Sequence, residues 1–306
     1  MQCAKCKKPA VTFIRYSGRH LCKQHFNEFF ESRVKAEVRR QGGLPSKGII
    51  AVGVSGGKDS IVALHMIKKI AAGRPNLEIH AITVDEGVEG YRPESIPVVE
   101  RNCKLLGIPF HIVKFKEITG KTMDEIAKID SDRECAYCGV FRRLCLNTEA
   151  RRIGATYLVT GHNLDDTAQS ILMNFCRGDV NKLARLGPHK NVQPGLIPRL
   201  EPLRAIPEKE NALYAILNGL EVHIAECPYA RSAQRNQFRA IINGMELQTP
   251  GARHAIVSSY DQILPALEGK FSTGEANKCK KCGEPTSGKV CMACEMKERL
   301  EMPGKK

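Results

Sequence analysis

Six consecutive residues, Ser55-Gly56-Gly57-Lys58-Asp59-Ser60, combine what an anion site needs. The glycines let backbone N–H groups close on a phosphate, and a helix starting there would add its positive end. Lys58 contributes a full cation, and Ser55 and Ser60 contribute hydroxyl donors. The loop is not a Walker A motif, because the four-residue gap between glycines is missing. A Gly-Gly pair alone would be an ordinary left-handed turn, so the signal is the whole string in its context. A second concentration of chemistry lies in the 13 cysteines. Cys3-x2-Cys6 is followed by Cys22-x2-His25 near the start, and Cys279-x2-Cys282 by Cys291-x2-Cys294 near the end. A two-residue gap lets a tight turn place two ligands on one metal, and two such pairs complete a tetrahedral Zn2+ shell. Both sets therefore read as closed, structural zinc modules, with free or redox-active thiols as the alternative. His25 stands where a fourth cysteine would, so it reads as a ligand rather than a core histidine.

The elements that must position the loop follow from the hydrophobic pattern. Gly48–Val54 is a short apolar, β-branched run that reads as a buried strand entering the loop, and Ile61, Leu64, Ile67, Lys68 and Ala71 repeat at helical spacing after it. The alternation continues: strand 77–84, helix 95–106, strand 110–115, strand 156–160, and helix 165–177 with Asp165 or Asp166 near its N-cap. Such alternation predicts an α/β fold, a parallel sheet with helices on both faces and ligand groups at the strand C-termini. Three of those ends carry polar or glycine clusters: Ser55–Ser60, Asp85-Glu86-Gly87, and Gly161-His162-Asn163-Leu164-Asp165-Asp166. One cleft gathering three such loops is a nucleotide site, although Asp165 and Asp166 could be helix caps alone. The proline- and glycine-rich stretch 178–208 reads as a long irregular loop.

Six cysteines remain. Cys103 and Cys176 fall in helical patterns and read as small buried hydrophobes, as does Cys145. Cys135-Ala136-Tyr137-Cys138 lies in what reads as a polar loop between Arg133 and Arg142-Arg143, and Cys227 follows an apolar, strand-like segment, 220–225. Two thiols at this spacing plus a distant third fit a three-cysteine iron–sulfur cluster with one iron open. They equally fit a persulfide with a resolving cysteine. A third zinc site or inert thiols is the plainer alternative.

Charge divides unevenly along the 306 residues, whose formal net charge is +14. Residues 1–47 hold 11 basic and 3 acidic side chains and residues 270–306 hold 9 and 5, leaving a nearly neutral middle. Basic ends on a neutral body suggest a polyanionic partner, nucleic acid ahead of membrane, with a solvated basic surface as the alternative. Zn2+ on three thiolates and on four lowers the two ends to about +7 and +2, which favours the N-terminal module as the polyanion-binding one. The 42% hydrophobic and 26% charged fractions exclude a disordered chain. No apolar run reaches the ~18–20 residues of a membrane span, and Met1–Cys6 has no apolar signal core, so a cytoplasmic location is expected.

Together these features resemble the TtuA/NcsA family of tRNA 2-thiouridine synthetases, within the PP-loop, or N-type, ATP pyrophosphatases. Ser55–Ser60 is similar to their SGGxDS loop and Gly161–Asp166 to their GHNxDD loop. The related 2-thiocytidine enzymes share the loop and central cysteines but lack the zinc ends. The resemblance implies three segments: an N-terminal zinc finger and basic linker helix (1–47), a PP-loop catalytic domain (48–269), and a C-terminal zinc finger (270–306). It implies ATP with Mg2+ at Ser55, Gly56, Gly57, Lys58, Asp59 and Ser60, the adenosine near Val84, Asp85 and Gly161, and two Zn2+ on the terminal sets. Adenylation of a uridine C2 oxygen would precede its replacement by sulfur. Cys135, Cys138 and Cys227 would hold a [4Fe–4S] cluster, Arg142 would contact phosphate or base, and Asp165 and Asp166 would serve Mg2+ or acid–base work. Sulfide or a ubiquitin-like thiocarboxylate carrier would supply sulfur, tRNA would be the partner, and a homodimer is expected. The competing readings are a persulfide relay without a cluster, 2-thiocytidine synthesis, and a non-catalytic zinc-finger RNA-binding protein.

Overall fold

The computed structural model describes residues 1–131, 133–188, 194–232, 235–271 and 277–302. The chain begins with a small hairpin, β1 (Thr12–Ile14) and β2 (Arg19–Leu21), and helix α1 (Lys23–Arg40). Strand β3 (Gly48–Gly53), α2 (Lys58–Ala71), β4 (Leu77–Asp85), α3 (Arg92–Leu106) and β5 (Phe110–Lys114) follow. Short helices α4 (Phe115–Thr119) and α5 (Met123–Ile129) lead into α6 (Glu134–Arg152), β6 (Ala155–Val159), α7 (Leu164–Cys176) and α8 (Val180–Leu183). Then come β7 (Arg199–Leu200), α9 (Glu208–Leu217), α10 (Arg235–Gln248), α11 (Ala252–Phe271), a second small hairpin β8 (Asn277–Lys278) and β9 (Pro285–Thr286), and α12 (Met292–Glu301).

Five strands form one parallel sheet in the order β5-β4-β3-β6-β7. Its centre is β3, where Ile50, Ala51 and Val52 have no exposed surface because helices cover both faces. The chain runs outward from β3 through β4 to β5, then returns to β6 on the other side of β3. That reversal leaves a crevice at the C-terminal ends of β3 and β6, the switch point at which open α/β sheets bind ligands. The loop after β3 is Ser55–Gly57, and the loop after β6 is 160–163.

Neither terminal module hangs free. In α1, Phe26, Phe30, Val34 and Val38 recur every four residues and are all buried. They join one core cluster with Ile61 and Leu64 of α2 and Tyr214 of α9. The opposite face packs α6 through Tyr137, Phe141 and Cys145, and Cys279, Cys294 and Leu300 of the C-terminal module belong to that second cluster. A third cluster joins α7, α8, α10 and α11.

Several local expectations differ from the structure. Cys135 and Cys138 lie on the first two turns of a helix, not in a polar loop; the polar Arg133 and Glu134 obscure the buried stripe of Tyr137, Phe141 and Cys145. Stretch 178–208 contains α8 and the edge strand β7, and its residues 189–193 lie outside the described ones. Segment 220–225 is irregular rather than a strand and joins no sheet among the described residues. Helix α3 starts at Arg92, with a proline in its first turn. Asn163, rather than Asp165 or Asp166, caps α7, and Asp166 closes the capping box from the third helical position. Cys103 and Cys145 are buried, but Cys176 is exposed: it ends α7 off the stripe of Leu164, Ala168 and Ile171.

Phe30 stacks on Tyr214 with ring centroids 4.2 Å apart, joining α1 to the sheet-covering layer. Phe30→Ala is therefore expected to destabilise the whole chain by about 3–5 kcal/mol. Thermal unfolding followed at both core and N-terminal probes checks this; loss confined to the N-terminal segment contradicts an integral α1.

Candidate functional site

The loop after β3 is held by its own hydroxyls. Ser60 Oγ donates to the Gly57 carbonyl at 2.8 Å and accepts from the Ser55 amide at 3.1 Å, while the two serine hydroxyls lie 3.2 Å apart. Gly56 has φ +91°, and a Cβ there would lie 2.9 Å from the Ser95 carbonyl oxygen, so conformation and packing both demand glycine. A Cβ on Gly161 would meet backbone atoms of Asp59 and Ser60 at 2.9 Å, which puts the second loop directly against the first. Val84 and Asp85 end β4 alongside, with Asp85 accepting from the Gly87 amide at 2.9 Å. Thr83 Oγ1 ties the neighbouring strands by donating to the Val54 carbonyl at 2.6 Å.

The charged groups behind the loop are paired. Lys58 Nζ reaches Asp59 at 3.0 Å and Glu208 at 2.7 Å. Desolvation pulls its ammonium toward neutrality, but the two carboxylates outweigh that and keep it charged. Burial raises the Asp59 carboxyl, which also accepts from Asn211 at 2.8 Å. Asp165 pairs with Arg253 at 2.7 Å and accepts from the Glu208 amide at 2.8 Å, and Asp166 pairs with Arg235 at 3.1 Å. Among the described residues, no three carboxylate oxygens converge as a ready-made cation cage. Mg2+ here would draw most of its ligands from phosphate and water, its usual habit in nucleotide sites.

The three central cysteines come from two directions. Spacing of three on α6 places Cys135 and Cys138 on one helix face. Cys227 arrives on the irregular segment after α9, which is pinned to the phosphate loop where the His223 amide donates to the Gly56 carbonyl at 2.9 Å. Cys135 Sγ lies 3.5 Å from the Tyr229 carbonyl, and Tyr229 is anchored on Asp124 at 2.7 Å. Burial raises the Cys135 thiol, and the nearby Cys227 raises it further; burial likewise raises Cys138. Two groups bring their ligand atoms within 4.8 Å of one another among the described residues: Cys3, Cys6, Cys22, His25, and Cys279, Cys282, Cys291, Cys294. The central trio is not among them, so its spacing disfavours one shared ion. A polynuclear cluster spreads its cysteines over separate irons and fits this wider frame. In the terminal groups, desolvation opposes ionisation of Cys3 and Cys279, yet backbone N–H donors overcome it and hold both near 6, ready to be metal-ligating thiolates.

Glu86 and Arg92 connect the two halves, and no local motif announces either. Glu86, 1% exposed, accepts both Arg92 Nε and Nη2, and Arg142 Nε reaches it at 2.8 Å. Arg92 also donates to the Ser55 carbonyl at 3.0 Å, and Arg142 to Cys138 Sγ at 3.1 Å. Glu86 thus bridges the phosphate loop to the cysteine helix. Arg142, expected to meet phosphate or base, pairs here with a carboxylate and a thiol and keeps 44% of its side chain exposed.

Residues 22–245 match the PP-loop domain, and residues 2–27 match the N-terminal LIM domain of 2-thiouridine synthetase TtuA. The tRNA 2-thiolation protein NcsA of Haloferax volcanii is 38% identical over 98% of this chain and 99% of that protein. The chain belongs to the TtuA/NcsA family. The tRNA-5-methyluridine(54) 2-sulfurtransferase of Pyrococcus horikoshii is 35% identical, over 96% of this chain and 93% of that one. Among solved structures, the U34-tRNA thiolase NcsA of Methanococcus maripaludis with its [4Fe-4S] cluster superposes with a TM-score of 0.86 at 35% identity, covering 98% of this chain and 96% of that one. In this family member, no helix among the described residues is long and apolar enough to cross a membrane.

Two outcomes are expected. Gly161→Ala pushes the second loop off the first, and a displacement of that kind costs about 10²-fold in ATP-dependent turnover; unchanged turnover contradicts the tight contact. Burial alone would raise the Glu86 carboxyl, but Arg142 and Arg92 hold it below its ordinary value. Its stabilisation is therefore fully present above the unfolded value of about 4.3 and is lost as pH falls through the lower folded one. Glu86→Gln should lower the thermal midpoint most above pH 5, the gap to wild type closing on acidification; a pH-independent gap contradicts an ionised Glu86.

Proposed function

We propose that this chain is an ATP-dependent tRNA-uridine 2-sulfurtransferase whose phosphate loop activates the C2 carbonyl oxygen and whose three central cysteines hold the centre that delivers sulfur. The observation that carries this reading is the Glu86 bridge. A phosphate loop and a thiol trio tied to one buried carboxylate make sense if activation and sulfur transfer occur at one substrate atom.

The uracil C2 oxygen is a poor leaving group. Its attack on the α-phosphorus of ATP forms a C2–O–P link and breaks the bond to pyrophosphate, which departs with the electron pair. The amides around Gly56 and Gly57, the N-terminus of α2 and Lys58 stabilise the charge gathering on that pyrophosphate. A sulfur nucleophile then adds at C2, the C2–O bond breaks, AMP leaves, and a thiocarbonyl remains. Cys135, Cys138 and Cys227 would hold a [4Fe–4S] cluster, and when bound it supplies an iron without a protein ligand to which inorganic sulfur can be delivered. Arg142 donates to Cys138 Sγ and favours its thiolate against the burial that raises it. The sulfur enters as sulfide or from a carrier thiocarboxylate. The terminal groups would each take one structural Zn2+.

The test is anaerobically reconstituted protein incubated with ATP, sulfide and unmodified tRNA, read by nucleoside mass spectrometry. 2-Thiouridine is expected, falling to background in Cys135→Ala, Cys138→Ala and Cys227→Ala, and by about 10²–10³-fold in Lys58→Ala. Full activity in iron-free protein overturns the cluster and supports a persulfide relay. Intact tRNA binding without thiolation would support a non-catalytic RNA-binding protein.

A further inference from the structure

We propose that Arg143 and Arg199 form a clamp for a backbone phosphate of the RNA substrate, on the wall of the cleft between the second loop and the C-terminal module. The clamp rests on the tRNA reading above and deepens it by placing RNA contacts in the body of the protein. The cleft has a volume of about 1160 Å3, above the ~300–1,000 Å3 usual for a small-molecule pocket. Arg143 and Asn147 of α6 line it, with His162 and Asp166 of the second loop and α7, Arg199 of β7, and Ser287 of the C-terminal module. His162 follows Gly161, which packs against the phosphate loop, so the cleft leads to the activation site.

Most cationic side chains near the site already have carboxylate partners. Arg204 is bound by Asp261 and Arg235 by Asp166, while Arg253 meets Asp165. Among the described residues, the side chains of Arg143 and Arg199 have neither a hydrogen bond nor an ion pair within 4.0 Å. The contrast within α6 is sharp: Arg142 points to Glu86 and Cys138, whereas Arg143, about 100° further round the helix, points into the cleft. Desolvation and then the positive charge of Arg199 pull the Arg143 guanidinium below its ordinary value. Arg199 feels the charge of Glu201 in the same cleft, but that carboxylate lies beyond ion-pair distance and is held by His162 at 3.2 Å, so both guanidiniums keep their donor forks open to an external anion. Their planar donor forks suit a phosphodiester, and phosphate contacts are what set an RNA's register before a base is read.

The phosphates of ATP belong elsewhere, because Lys58 and the loop amides do not line this cleft. A predicted RNA grip by the basic N-terminal module alone also leaves these two arginines without a role. Arg33 and Arg40 of that module are spent on Glu210, Glu37 and Asp261.

The experiment uses the full-length protein and an unmodified tRNA transcript, with affinity measured from 50 to 200 mM salt. Arg143→Gln and Arg199→Gln are each expected to flatten the slope of log affinity against log salt, and together by about 0.7–0.9, the one phosphate they share. The double Gln variant should lose about tenfold or more in affinity at the lower salt. The double Lys variant should keep the wild-type slope, and ATP affinity should stay unchanged in all four. A double Gln variant with wild-type slope and affinity overturns the clamp alone. Loss of ATP affinity in parallel overturns it too, by placing the pair in the nucleotide site. A wild-type chain that binds no tRNA overturns the functional reading and the clamp together.

Discussion

A carboxylate buried to 1% exposure between two guanidiniums is the constraint on which the rest of the site depends. Removing Glu86 from water costs several kcal/mol, and only close charge partners offset that. Arg92 and Arg142 supply them, and each has a second commitment: Arg92 to the Ser55 carbonyl, Arg142 to Cys138 Sγ. The end of β4, the start of α3, the phosphate loop and the first turns of α6 are thereby fixed relative to one another. A sheet alone would place the loops but would leave the thiols free to drift from them. The bridge gives the thiols a register against the phosphate loop.

The terminal modules extend the same logic outward. Each carries a four-residue group that could hold a metal ion, and cysteines of both groups join the core of the central fold. Arg33 of α1 bonds Glu210, Tyr16 and the Ala205 carbonyl, and His254 lies beside it. At the other end, Arg151 of α6 pairs with Glu284, and Lys297 of α12 donates to the Ile118 carbonyl at 2.5 Å. Helix α6 therefore has the cysteines at its start and the C-terminal module against its side. Metal bound at either end feeds its folding energy into the layers that cover the sheet.

Much of this was legible in the residues, where the signal is contiguous. Ser55–Ser60 announces its loop because strand, turn and helix follow one another directly from Gly48 to Ala71, and the two-residue cysteine gaps announce the terminal groups. The parallel sheet and its central strands followed from apolar runs of ordinary length. What stayed hidden depends on tertiary partners. The two residues of β7 carry no period, and Cys135 and Cys138 read as loop because their helix begins among charges. Glu86 lay in view within Asp85-Glu86-Gly87 but without a partner. Arg92 serves Ser55, 37 positions away, and Arg142 lies 56 from Glu86. A linear sequence offers no pattern for an ion network closed across such separations. Cys176 shows the converse: a helical pattern identified its element but not which way the last turn faces.

The central claim is that one carboxylate holds both halves of the site. The most direct measurement is ATP affinity and iron content on the same anaerobic preparation of Glu86→Gln, with zinc content as the internal control. Coupling through Glu86 predicts that ATP affinity falls by about tenfold or more, within the usual range of a coupling free energy, and that iron per chain falls with it while zinc stays at the wild-type level. A variant that loses only one of the two, or neither, would contradict the coupling.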